Sequence, residues 1–192
     1  MRTLWKRSKN VKQENMGLFD FFKKDKKEEP KVDFTINEMK KGFIIDYSMK
    51  SWEVKKVSNY DWGNNYYSKE YLLDAGDEKM YLNVEDDDGF VCSIWSTIDL
   101  FDIDQNLAVE IRTNDEAPNK LLYANKTYVR KESSQAVCEE EGVEGESKLV
   151  NWTYQHPESK ECISINRWGE EEFDASVGTY IKAREFSNIL PR

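Results

Sequence analysis

The chain has 192 residues, including 6 Trp, 10 Tyr and 9 Phe, and a formal net charge of −9. That length supports one large domain or two small ones with a real core, and the aromatic content favours strands over helices. Residues 1–31 carry ten Lys or Arg against five Asp or Glu, whereas residues 32–192 carry 18 against 32, so the body repels nucleic acid and anionic membrane while the leader does not.

Residues 1–15 are basic, polar and without period, and are followed by Met16-Gly17-Leu18-Phe19-Asp20-Phe21-Phe22-Lys23-Lys24. Met16 reads as an alternative start to Met1, a choice that intact mass decides. Leu18, Phe19, Phe21 and Phe22 can line one side of a short amphipathic helix over 16–24, with Lys23 and Lys24 beside them. Such a segment can lie in a lipid interface held by anionic headgroups. Flotation of the full chain with anionic vesicles, lost when residues 1–31 are removed, is the expected result; equal flotation of both forms refutes it. Residues 1–34 as a whole read as a partly disordered leader.

Thr35-Ile36-Asn37-Glu38 matches a capping box, and Gly42 stands where a short helix would stop. Period-two alternation then predicts strands over 43–47, 52–58, 67–73, 80–85 and 90–95. A connector over 102–117 follows, with one further strand expected over 107–111. In the remainder, strands are expected over 128–138, 149–154, 161–166, 172–175 and 179–186.

The hairpin Tyr71 to Val84 looks duplicated 81 positions later, over Trp152 to Ile165, with equal turn lengths and a lysine closing each turn, Lys79 and Lys160. Upstream the offset is 76, relating Lys50-Ser51-Trp52 to Lys126-Thr127-Tyr128. The expected fold is therefore mainly β: two tandem antiparallel modules, 35–101 and 118–192, forming a barrel- or sandwich-like pseudo-repeat.

Reactive constellations are scarce. His156 is the one histidine and sits in an expected turn, and Cys92, Cys138 and Cys162 are far apart without a CxxC pair. Reduced thiols in the cytoplasm are the simple reading, and neither a catalytic triad nor a zinc site is in view. No phosphate loop or dinucleotide fingerprint occurs, so no nucleotide, cofactor or metal is expected. No apolar run approaches the roughly 18 residues of a membrane-spanning helix. Seven aromatics at alternating positions, Trp52, Tyr71, Tyr81, Trp95, Tyr128, Trp152 and Tyr154, read as core. Tyr60, Trp62, Tyr66 and Tyr67 instead share a loop, where large rings are hard to bury together and suit a contact surface for a protein partner.

The runs Met39 to Tyr47, Trp52-Glu53-Val54, Lys69 to Leu73 and Tyr81 to Asp87 resemble the bacterial family known as domain of unknown function 4178. The start Met16 to Lys24 and the ending Trp168-Gly169-Glu170 with Phe186 to Pro191 are also similar to proteins of this type. The resemblance implies a cytoplasmic bacterial accessory protein with a β fold and no established activity, and supplies no functional residues.

The leading expectation is a non-enzymatic binding or scaffold protein of the bacterial cytoplasm, docking through its leader on the inner face of the membrane or on a protein partner. A rival is a small-ligand or enzymatic module with an acidic cleft between the halves, using Glu70, Glu85 and Asp87. A third is a structural subunit that oligomerises through edge strands.

Overall fold

The computed structural model describes residues 33–86 and 89–192. The helix expected over 16–24, with Leu18, Phe19, Phe21, Phe22, Lys23 and Lys24, lies outside the described residues, as does Asp87. The strands are β1 (Ile44–Tyr47), β2 (Lys50–Asp61), β3 (Tyr67–Asp74), β4 (Lys79–Asp86), β5 (Phe90–Ile98), β6 (Lys120–Tyr123), β7 (Lys126–Glu140), β8 (Ser147–Gln155), β9 (Glu161–Trp168), β10 (Glu172–Lys182) and β11 (Ser187–Leu190). Two helices, α1 (Leu100–Ile103) and α2 (Leu107–Asn114), lie between β5 and β6. None of the described helices is long and apolar enough to cross a membrane.

The eleven strands form one antiparallel sheet in the order β11-β1-β2-β3-β4-β5-β10-β9-β8-β7-β6. β2 and β7 also pair with each other, Ser58 opposite Glu140 and Tyr60 opposite Cys138. The eight strands from β2 to β5 and from β10 back to β7 thus close into a ring. An eight-stranded barrel is of the size that either fills with side chains or holds one small ligand. The sheet does not divide into separate modules, because β5 and β10 pair continuously from Val91–Lys182 to Ile98–Ala175 and join the two four-stranded meanders.

Elsewhere the departures from expectation have local causes. Thr35 and Glu38 do engage, the Thr35 N–H and hydroxyl each donating to Glu38 Oε2 at 2.9 Å, but the helix they start is a single 3₁₀ turn, Ile36–Glu38. Residues 107–111 are helical rather than extended: Leu107 and Ile111 are one turn apart, and both are buried in the core of the second meander. The strands expected over 172–175 and 179–186 are joined in β10, which runs through Gly178. A Cβ at Gly178 would meet the Trp95 ring at 2.4 Å and the Ile94 carbonyl oxygen at 2.5 Å, so glycine is needed here to admit the ring that lies across it.

Burial is divided among three clusters. On the outside of the first meander, Tyr71, Leu73, Leu82 and Val84 pack against Ile45 of β1, Ile36 and Phe186. On the outside of the second, Trp152, Tyr154, Ile163 and Ile165 pack against Leu107 and Ile111 of α2 and Leu121 of β6. The third comprises Tyr60, Ala136, Cys138 and Leu149, with Trp62 and Trp168 against it. The register places Tyr60 on the same face of the ring as Ser68 and Cys138, so this cluster plugs part of the barrel interior.

Candidate functional site: the barrel interior

Successive side chains of a strand point to opposite faces. Because the apolar face of each meander is covered from outside, the alternate positions turn into the ring. These are largely short and polar: Ser68, Asn83, Ser93, Asn151, Ser164 and Ser176 line a cavity of about 120 Å³. Five aromatic residues, Tyr60, Trp62, Tyr66, Trp95 and Tyr180, and three carboxylates, Glu70, Glu85 and Glu132, complete the chemistry of its wall. Among the described residues, Lys, Arg and His are absent from that lining.

On the side formed by the second meander the polar groups satisfy one another. Thr153 donates to Asn151 Oδ1 at 2.9 Å, and Asn151 Nδ2 donates to Ser164 Oγ and to Asn166 Oδ1, each at 2.7 Å. Asn166 Nδ2 donates to Asp174 Oδ1 at 2.9 Å, and the Trp168 indole N–H donates to the other Asp174 oxygen. Such a closed chain is what lets amides and a carboxylate sit out of bulk water without a large desolvation cost.

The first meander is different. The indole N–H groups of Trp62 and Trp95 donate to Ser68 Oγ and Ser93 Oγ at 2.9 and 2.8 Å, which ties both donors to the wall. Tyr60 stacks on Trp62 with ring centroids 5.8 Å apart and donates its hydroxyl to Glu70 Oε1 at 3.1 Å. Glu70 makes no other hydrogen bond among the described residues, and it is half-buried where it lines the cavity. Desolvation pushes its carboxyl up to about 7; the Tyr60 hydrogen bond and Lys56 pull the other way, and Asp174 adds to the rise.

Glu85 lies one rung above Glu70, since Ser68 pairs with Glu85 and Glu70 with Asn83. The acidity of the Tyr66 phenol is suppressed first by burial and then by Glu85 and Glu132. Glu132 and Tyr180 are exposed, so these groups mark the mouth of the cavity. At the other end Lys56 pairs with Glu140 at 2.7 Å.

The loop residues expected to form an outward contact surface are divided by the structure. Tyr60 is buried and Trp62 half-buried, both turned into the ring, whereas Tyr66 and Tyr67 are 38% and 54% exposed. Tyr67 lines a separate outer groove with Asn37, Asp61 and Lys69. Of the acidic-cleft residues, Glu70 and Glu85 meet in the cavity. Of the seven alternating aromatics, Tyr81 and Trp95 face inward, Tyr81 opposite Trp95, while the other five are buried in the two outer clusters. His156 stays in the β8–β9 turn, its Nδ1 accepting from the Glu158 N–H at 3.3 Å. Glu132, Asn151 and the cavity serines escaped notice in the sequence, although short polar residues recurring at alternate positions of strand after strand were the signal for them.

The cavity thus combines short polar side chains, aromatic rings and a carboxylate raised by desolvation. The described residues bring together no group of three His, Cys, Asp or Glu that could hold a metal ion.

Among known proteins, the chain is 26% identical over 183 residues to an uncharacterised protein of Aquifex aeolicus, a match that spans 92% of this chain and all of that protein. No solved structure is matched. The model of the family described as "Domain of unknown function (DUF4178)" matches residues 40–183. The continuous sheet from β1 to β10 falls almost wholly within that match, and the chain belongs to this family.

Proposed function

We propose that the protein is a non-enzymatic binding protein whose barrel interior receives one small ligand. The observation that carries this reading is an inversion of polarity. Two of the three apolar clusters lie outside the ring beneath β1, α2 and β6, while serines, asparagines and carboxylates lie inside it beside the smaller cluster of Tyr60 and Leu149. A barrel evolving for stability alone would fill its interior with apolar side chains, because polar groups without full partners cost about 1–3 kcal/mol each.

We also infer that the ring is built from two related five-stranded units, β1–β5 and β6–β10. Support comes from matching features: each begins with a hairpin whose turn has two consecutive residues of positive φ, Ser48-Met49 and Ala124-Asn125. Each long second strand carries a register shift, between Val54 and Lys56 and between Arg130 and Glu132. At the 81-residue offset, Glu70 and Glu85 correspond to Asn151 and Asn166. The two halves therefore share a frame and differ in the charge they present to the cavity.

The test is a fragment screen by ligand-observed NMR with the full chain and with Ser176→Leu, which extends an apolar side chain into the cavity. Small polar fragments are expected to bind the wild type and to lose binding to the variant. A screen in which no fragment responds to that substitution overturns the reading.

A further inference from the structure

Size limits the ligand first. The cavity of about 120 Å³ falls well short of the roughly 300–1,000 Å³ typical of sites for drug-sized molecules, and accommodates a few heavy atoms beyond ordered water. A nucleotide, a sugar chain or a fatty acid does not fit.

Charge and hydrogen bonding limit its chemistry. Among the described residues the wall carries Glu70, Glu85 and Glu132 and no cationic side chain, which opposes an anion. Its two indole donors are already committed to Ser68 and Ser93, so Trp62 and Trp95 offer ring surface rather than N–H groups. Glu70, half-buried at the wall, accepts the Tyr60 hydroxyl on one oxygen and makes no other hydrogen bond among the described residues. A bare metal ion needs several oxygen ligands converging on one point, and the described residues form no such cluster. An organic cation needs less: one carboxylate for its N–H groups and aromatic faces for its charge-bearing carbons.

Resting on the reading of the barrel interior as a ligand site, we propose that it binds a single small alkylammonium ion. Its ammonium donates to Glu70, and its alkyl part lies against the Trp62 and Trp95 faces, with Glu85 and Glu132 drawing it in at the mouth. Only the ionised form of Glu70 holds the cation, so binding releases the proton that the carboxyl carries at lower pH. The titratable and charged groups that face Glu70 come from four strands: Lys56 and Tyr60 of β2, Asp174 of β10, Tyr81 of β4 and Cys138 of β7. The Tyr60 and Tyr81 phenols and the Cys138 thiol are all shifted upward, chiefly by burial. For Lys56 burial works against the charge, but the Glu140 pairing outweighs it and the net shift is also upward. These shifts carry all four away from neutrality. The carboxyl at about 7 makes affinity rise with pH through the neutral range.

The experiment uses the ¹⁵N-labelled full chain and follows the indole N–H signals of Trp62 and Trp95 while n-butylammonium, n-butanol or butyrate is added. Butylammonium is expected to shift both signals saturably at pH 8, and butanol of nearly the same shape to bind about ten- to a hundredfold more weakly. Lowering the pH to 6 weakens the wild type by about tenfold, and Glu70→Gln abolishes both the preference for the cation and the pH dependence. Butanol or butyrate binding as tightly as butylammonium overturns the cation assignment while leaving the interior site intact. A pH dependence that survives in Glu70→Gln overturns the role of Glu70. Silence of both indoles towards all three probes overturns this proposal, and the Ser176→Leu screen then judges the receptor reading on its own.

Discussion

Glu70→Gln is expected to be more stable than the wild type at pH 8 and equally stable at pH 4. In the folded protein the carboxyl rises from 4.5 to about 7, so between these values the native state holds a proton that the unfolded chain has released. Stability contributed by that proton is fully present below about 4.5 and is lost as the pH rises through 7. The loss amounts to about 3 kcal/mol, and the neutral amide, which cannot ionise, escapes it. Urea melts of both proteins from pH 4 to 9 measure the difference; curves that run parallel over that range remove the strained carboxylate from the account.

Trp152→Ala should lower stability by about 3–5 kcal/mol, or roughly 10 °C in the melting temperature. Trp152 is completely buried on the outer face of β8. Its indole N–H donates to Glu116 Oε1 at 2.8 Å, and the Arg167 guanidinium lies over the ring at 5.7 Å from its centroid. Truncation leaves a cavity against α2 and removes the partner of a carboxylate that Arg130 also holds. Thermal denaturation checks the prediction, and a shift of only one or two degrees would show that α2 collapses onto β8 to refill the space.

The strands of the two meanders were legible because their outer faces carry large apolar residues at strict alternation, as in Tyr71, Leu73, Leu82 and Val84. Short elements were less so. Leu107, Val109 and Ile111 satisfy alternation, yet Leu107 and Ile111 equally satisfy one helical turn, and packing on the second meander decides for α2. Gly178 reads as a strand breaker until the Trp95 ring that lies on it is known. Ring closure was beyond reach, since Tyr60 and Cys138 meet only through the register of all eight strands. The same limit concealed the site. Ser68, Asn83 and Ser164 look like the solvent face of an ordinary half-buried sheet, and only closure turns that face inward. Glu70 and Glu85 could be named as acidic residues, but one being desolvated and the other standing at a mouth is a property of the ring.

Closure also governs how the protein behaves towards copies of itself. Strands with open hydrogen-bonding edges template intermolecular pairing and fibril growth, and a ring removes most such edges. Among the described residues, the strands left at the ends of the sheet are β6 and β11, each four residues long. β6 opens with Lys120, and β11 runs directly into Pro191 and Arg192, with Arg192 held to Glu53 at 2.9 Å. Brevity, charge and proline are features that discourage a second chain from adding on. Over half of the described residues thus lie in strands, while the edges the sheet leaves open among them are two short ones.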